Sequence, residues 1–178
     1  PDLDRAGWPL VARGSGGGPV PQGPCTLNLA LVAPLPPGTG IEDGYRLICG
    51  AVSEALRRFE VATGSGPVAD AFCDGAWNVT ATGRKLAGTA QRWRATADGH
   101  IALCHAAILM TEPPQTVWPA LDRLHRAAGK TAAPRPEAHV ALGALLPETT
   151  RPAMVAGALL RAAADRLSHV LTERQRAA

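Results

Sequence analysis

The sequence predicts an α+β domain built on a mostly antiparallel or mixed sheet with packed helices. Three observations predict it. Four segments alternate apolar and polar residues with the two-residue period of a strand, and one segment carries apolar residues at helical spacing. The elements then run strands, helix, three strands, helices. The 178 residues read as a single domain, 1–178, long enough to bury a core.

Trp8 to Arg13 is a short apolar stretch, predicted as a strand, that runs into Gly14-Ser15-Gly16-Gly17-Gly18. Pro19, Pro21, Gly23 and Pro24 follow as an irregular loop. Thr26 to Ala33 predicts the next strand, with Leu27, Leu29 and Leu31 on one face and Asn28 opposite. Pro34 to Gly40 breaks the chain. Thr39-Gly40-Ile41-Glu42 has capping-box spacing and opens a helix. Its apolar face is Ile41, Tyr45, Ile48, Val52, Leu56 and Phe59, with Cys49 on the same side, and it should end near Gly64.

A loop with Gly64, Gly66 and Pro67 leads to Trp77–Thr82, where Trp77, Val79 and Ala81 alternate with Asn78, Thr80 and Thr82. Gly83-Arg84 reads as a hairpin turn, Lys85 to Arg94 as a second strand, Asp98-Gly99 as a second turn and Ile101 to Met110 as a third strand. Together they form a meander. Val117 to Ala128 predicts a short helix stopped at Gly129, and Pro134 and Pro136 mark a linker. Thr149 or Thr150 should cap a last helix with Pro152 in its first turn. Leu159, Leu160, Ala163, Leu167, Val170 and Leu171 form its predicted buried face.

Composition removes several functions. A net charge of +3 and a pI of about 9.0 fall short of a nucleic-acid binder's basic stripe. No apolar run approaches the ~18 residues of a membrane span. Pro1-Asp2-Leu3-Asp4-Arg5 lacks the basic start and apolar run of a secretory signal, so the expectation is a cytoplasmic protein with four free thiols. Cys25, Cys49, Cys73 and Cys104 include no C-x-x-C pair and no zinc spacing, so no metal site is expected. Cys104 and His105 are adjacent and would point to opposite faces of a strand.

Three segments could carry chemistry. Gly16-Gly17-Gly18 lacks side chains, so its N–H groups could cradle an anion or a carbonyl oxygen. A flexible surface loop is the plainer alternative, and no Gly-Lys-Ser/Thr follows to make a P-loop. In Gly83-Arg84-Lys85-Leu86-Ala87-Gly88-Thr89-Ala90-Gln91, strand alternation would place Lys85, Ala87, Thr89 and Gln91 on one face. Gly88 marks a close approach to the backbone, which a merely solvated hairpin does not explain. The only lysines are Lys85 and Lys130. Cys73 is either a structural cysteine or, with a cation beside it, a reactive one. Cys25, Cys49 and Cys104 read as structural, and the five histidines show no pairing pattern.

Arg13-Gly14-Ser15-Gly16-Gly17-Gly18, followed by Leu27-Asn28 and then by Gly83 to Gln91, resembles the biotin/lipoate protein ligase superfamily. Within it, the match is to lipoate–protein ligases and lipoyl-pathway octanoyltransferases, over residues 8 to 110 and more loosely the C-terminal helix. The resemblance implies a biotin/lipoate ligase-like catalytic domain. It implies that Arg13, Ser15, Gly16, Gly17, Gly18 and Asn28 border the acyl pocket. It implies that Gly83, Gly88, Thr89 and Gln91 belong to the substrate-binding hairpin whose Lys85 meets the acyl carbonyl. Phe72-Cys73-Asp74-Gly75-Ala76-Trp77-Asn78 resembles the nucleophile segment of cysteine-dependent octanoyltransferases, which makes Cys73 the catalytic partner of Lys85.

The function so implied is acyl transfer in protein lipoylation. An octanoyl or lipoyl group passes from a carrier, through a Cys73 thioester, to a lysine of a lipoyl domain or H protein, with no cofactor required. The alternatives are an ATP- and magnesium-dependent lipoate–protein ligase and a non-catalytic binding form of the fold. Two departures from the family stand out. Only twelve residues precede Arg13 where the family has a further strand-and-helix region, so the chain reads as N-terminally short. Pro24-Cys25 stands where the ligases have Gly-Asn, and no accessory C-terminal ligase domain is expected.

Overall fold

The computed structural model describes residues 2–177. Its centre is a five-stranded antiparallel sheet in the order β1-β5-β4-β3-β2, formed by β1 (Thr26–Leu35), β2 (Gly64–Gly66), β3 (Asn78–Ala81), β4 (Arg84–Thr96) and β5 (Gly99–Leu109). The helices are α1 (Asp2–Arg5), α2 (Ile41–Arg57), α3 (Val117–Ala127) and α4 (Pro152–Ala177). The predicted α+β class and the β3-β4-β5 meander are present. No described helix is long and apolar enough to cross a membrane.

One face of the sheet is covered by α2 and α4. Leu29, Leu31, Ala33 and Leu35 of β1 pack there with Ala102, Cys104, Ala106 and Ile108 of β5. Ile48, Val52 and Leu56 of α2 and Val155 and Leu159 of α4 close the core. Each Leu, Ile or Val among them contributes about 1.5–3 kcal/mol when fully buried. The α2 cap sits one residue later than the sequence spacing proposed. Gly40 is the N-cap, and its N–H donates to the Asp43 carboxylate at 2.8 Å. Ile41 is therefore at the first turn, on the solvent side.

Other expectations shift. Trp8 to Arg13 is not a strand: Pro9 lacks an N–H, and Leu10 and Val11 face solvent. The first hairpin turns at Thr82-Gly83, both with positive φ, and the second at Ala97-Asp98, each one residue before the predicted pair. Helix α4 begins at Pro152, so neither Thr149 nor Thr150 directly precedes it. Leu160 and Leu171 are exposed, because the buried stripe of α4 runs through Val155, Ala158, Leu159, Ala162 and Ala163.

The register of β4 decides where the site lies. Val79 pairs with Ala87 but Thr80 pairs with Lys85, so Leu86 is an extra residue, a β-bulge. Leu86 and Ala87 both enter the core. Lys85 and Gly88, on either side of them, share the opposite face. That face is crossed by the rows Asn28–Ala107–Gly88, Ala30–His105–Ala90 and Val32–Leu103–Arg92.

Candidate active site

The segment 13–18 folds over this open face of the sheet. Arg13 ties the loop to itself, donating through Nε to the Gly16 carbonyl and through Nη2 to the Gly18 carbonyl, both at 2.9 Å. Gly16 and Gly17 have φ of 74° and 86°, a conformation that other residues rarely adopt. The tight turn aims the Gly18 N–H outward, and it donates to Cys73 Sγ at 3.0 Å. Arg13 Nη2 lies 3.7 Å from the same sulfur. An N–H donor and a guanidinium together stabilise negative charge on sulfur.

Cys73 is half-buried and holds a strained backbone, with φ of 45°. Lys85 fixes that conformation. Its Nζ donates to the carbonyls of Phe72 at 2.6 Å and Cys73 at 2.8 Å and sits 5.1 Å over the Phe72 ring. These bonds use two of the three ammonium protons. Lys85 is wholly buried. Burial pushes its pKa down to about 8, against the pull of Cys73 and Asp74, with Arg13 and Lys130 adding to the lowering.

Around this pair the loop 66–78 is held by polar contacts. Asp74 Oδ1 accepts from the Val68 N–H at 2.8 Å and from Asn78 Nδ2 at 2.7 Å. His139 stacks on Phe72, with ring centroids 4.3 Å apart, and its Nε2 accepts the Phe72 N–H at 3.2 Å. Its Nδ1 donates to the Arg135 carbonyl at 2.8 Å. Burial pushes the His139 pKa down to about 4, so the ring is neutral at pH 7. Phe72, Leu109, Val117 and Leu121 make a second small core, with Trp8, Val20, Cys73 and Trp118 at its margin.

The structure brings Arg13, Gly16, Gly17, Gly18, Cys73, Lys85 and Gly88 together. A β-carbon on Gly17 would stand 3.1 Å from Cys73 Sγ, and one on Gly18 3.4 Å from Cys73 Cα. Asn28 lies along the same open face and donates to Gln22 Oε1 at 2.7 Å. Gly83 is a turn residue facing open space. Thr89 and Gln91 lie on the helix-covered face, where Thr89 Oγ1 donates to the Trp77 carbonyl at 2.5 Å and Gln91 Nε2 to the Ile41 carbonyl at 2.7 Å. They tie β4 to α2 and to the residue before β3, because the bulge at Leu86 reverses the parity assumed from simple alternation.

Sequence reasoning passed over two histidines. His139 arrives from 54 residues after Lys85 by a parallel bridge to it, which no local pattern announces. His105 Nε2 lies 2.7 Å from Ser15 Oγ. Its signal was its neighbour: with Cys104 in the core, His105 has to face the loop.

The profile of the lipoyl protein ligase A/B catalytic domain matches residues 1–163. An uncharacterized protein of Cupriavidus necator is 42% identical over 127 residues, 64% of this chain and 50% of that one. The octanoyl-GcvH:protein N-octanoyltransferase of Kyrpidia tusciae is 42% identical over 94 residues, 53% of this chain and 33% of that one. The lipoyl-GcvH:protein N-lipoyltransferase of Listeria monocytogenes is 30% identical over 91 residues, 51% and 33% of the two chains. The chain thus spans half or less of the length of these relatives. Among solved structures, lipoate-protein ligase A bound with ATP superposes with a TM-score of 0.67 at 22% identity, over 94% of this chain and 62% of that one. A T. acidophilum protein solved with lipoic acid bound gives 0.68 at 21%, with the same coverage. These two likenesses concern the fold.

Proposed function

We propose, because the chain belongs to the lipoyl protein ligase A/B catalytic domain family, that it moves an octanoyl or lipoyl group from a carrier protein to a lysine of a lipoyl domain through a thioester on Cys73. The observation that carries this reading is the Gly18 N–H donating to Cys73 Sγ at 3.0 Å, with Arg13 beside it. A structural cysteine has no use for a backbone donor and a guanidinium aimed at its sulfur. The names of the Kyrpidia tusciae and Listeria monocytogenes relatives support the same class of reaction, with GcvH as the carrier in those proteins.

The chemistry proceeds in two steps. The Cys73 sulfur attacks the acyl carbonyl of the donor, the S–C bond forms, and the bond to the carrier breaks. The carrier's leaving atom takes up the proton that the thiol gave up. The acceptor lysine, as the free amine, then attacks the thioester carbonyl; the N–C bond forms, the S–C bond breaks, and a proton from the amine returns to sulfur. The remaining Lys85 proton and the Gly18 N–H are the donors for the oxyanion of each step. Gly88, Ala90, Ala30 and Ala107 give the open face a floor of small residues along which an acyl chain can lie.

The acyl group passes from one carrier to another without ever becoming a free acid, so the reading requires neither ATP nor magnesium. The experiment is transfer from an octanoylated carrier to an apo lipoyl domain, followed by intact mass, with free octanoate plus ATP and magnesium as the other arm. Nucleotide-free transfer and an octanoyl adduct on Cys73 support the proposal. Labelling only from free octanoate and ATP, undiminished in Cys73→Ser, would establish a ligase instead.

A further inference from the structure

We infer that His105 is a positioning residue: through Ser15 it anchors the glycine loop so that the Gly18 N–H and Arg13 stay aimed at the Cys73 sulfur. The inference rests on the transferase reading for its consequence in acyl transfer, but its geometry stands apart from it. The loop reaches the body of the protein at three places, one of them Gly14, where a β-carbon would stand 2.5 Å from Arg92 Nη1. Gly18 and Arg13 meet Cys73, the group they serve. Ser15 Oγ meets His105 Nε2 at 2.7 Å, and His105 is rooted in the middle of β5, between Ala30 of β1 and Ala90 of β4.

That placement gives leverage. A side chain in a central strand has little freedom, while residues 13–18 form a turn without regular secondary structure. The Arg13 bonds to Gly16 and Gly18 lie within the loop and set its shape rather than its height above the sheet. The Ser15 tie is the hydrogen bond that sets the height, beside the Arg92 guanidinium packed against Gly14. The direct neighbours of His105 across the sheet are alanines, Ala30 and Ala90, which leave room for the ring beneath Ser15. Burial and the nearby Arg13 guanidinium push its pKa below the ordinary value, which favours the neutral ring under the loop.

The test reads the sulfur directly, with iodoacetamide and no acyl donor, so that it does not depend on the transferase reading. His105→Leu removes the tie and should slow alkylation of Cys73 at pH 7 about tenfold, the loss expected when one hydrogen bond to a charged group is released. His105→Gln, whose amide reaches the position of Nε2, should restore the rate to within about twofold of wild type. Ser15→Ala should resemble His105→Leu, and the double variant should be no slower than either single one. Octanoyl transfer should fall in kcat in parallel, with KM for the carrier little changed. Unchanged alkylation in His105→Leu or in Ser15→Ala would overturn the inference. So would additive losses in the double variant, or failure of His105→Gln to rescue, either of which would mean that His105 acts by packing alone. If the alkylation pattern holds and no variant or wild type transfers octanoate, the transferase reading fails and the anchoring role of His105 stands.

Discussion

The Lys85 side chain lies across Gly88: a β-carbon at position 88 would stand 3.3 Å from both Cε and Nζ of the lysine. The bulge at Leu86 puts the two residues on one face, and the missing side chain gives the lysine its channel to the Phe72 and Cys73 carbonyls. Gly88→Ala has to displace Nζ by a few tenths of an ångström from two short hydrogen bonds. We expect a fall of about tenfold in kcat with a loss of roughly 1–2 kcal/mol in stability. Steady-state transfer and urea unfolding of the same preparation check it, and a variant as active as wild type would separate Gly88 from the lysine.

Lys85→Ala is expected to abolish transfer. Lys85→Arg should damage it, since a planar guanidinium cannot take the place of a compact ammonium between two carbonyls. The buried ammonium loses its proton near pH 8, whereas in the unfolded chain it does so near 10.5. Wild-type activity should therefore decline as pH rises through about 8. The residual activity of Lys85→Arg should lack that limb, because its side chain stays charged. Between about 8 and 10.5 the unfolded chain carries a proton that the folded one has released, so this group makes stability rise with pH across that window. A pH–rate profile for the two proteins decides the point.

Of the four thiols, only Cys73 is not buried. Burial pushes Cys104 up to about 11 and raises Cys49 as well. One equivalent of iodoacetamide should react fast with the native protein, at Cys73, and four after unfolding. Cys73→Ser should be inactive, because a serine hydroxyl is far less ionised at neutral pH. Cys25→Ser, Cys49→Ser and Cys104→Ser should keep activity where they fold. Peptide mapping of the alkylated protein is the check.

Gly16 and Gly17 should behave differently although both have positive φ. A β-carbon on Gly16 meets nothing within 4 Å, while one on Gly17 meets Arg13 Nη2 at 2.7 Å and Cys73 Sγ at 3.1 Å. Gly16→Ala should cost only backbone strain, about 1 kcal/mol. Gly17→Ala should add a loss of more than about tenfold in thioester formation by pushing Arg13 off the sulfur. Intact-mass time courses after mixing with an octanoyl donor compare the two.

Acyl length reports on the open face of the sheet. An octanoyl tail offers about 5 kcal/mol of burial at ~0.8 kcal/mol per methylene, of which an acetyl group has almost none. An octanoyl donor should exceed an acetyl donor by several orders of magnitude in kcat/KM, and a hexanoyl donor should lose only moderately. Equal rates for acetyl and octanoyl would exclude a long apolar channel.

The sequence by itself determined the main elements, though not the short β2, the irregular course of Trp8 to Arg13 or the pairing of β1 with β5. Leu29 and Leu31, Val79 and Ala81, and Ile48, Val52 and Leu56 recur at periods that only a strand or a helix turns into one apolar face, and burial follows from that. The glycine run and Gly88 made the 13–18 loop and the hairpin candidates, and the resemblance to the ligase superfamily singled out Cys73 and Lys85. Tertiary structure alone decided which face of β4 meets the loop. One extra residue, Leu86, reverses the alternation, so Lys85 joins Gly88 and leaves Thr89 and Gln91 against α2. A bulge depends on the partner strand across the ladder and leaves no period in its own sequence. The meeting of Ser15 with His105, 90 residues apart, and of Gly18 with Cys73, 55 apart, arises in the same way. Such contacts are fixed by how the loops cross the sheet, and local sequence preferences act only over a few residues.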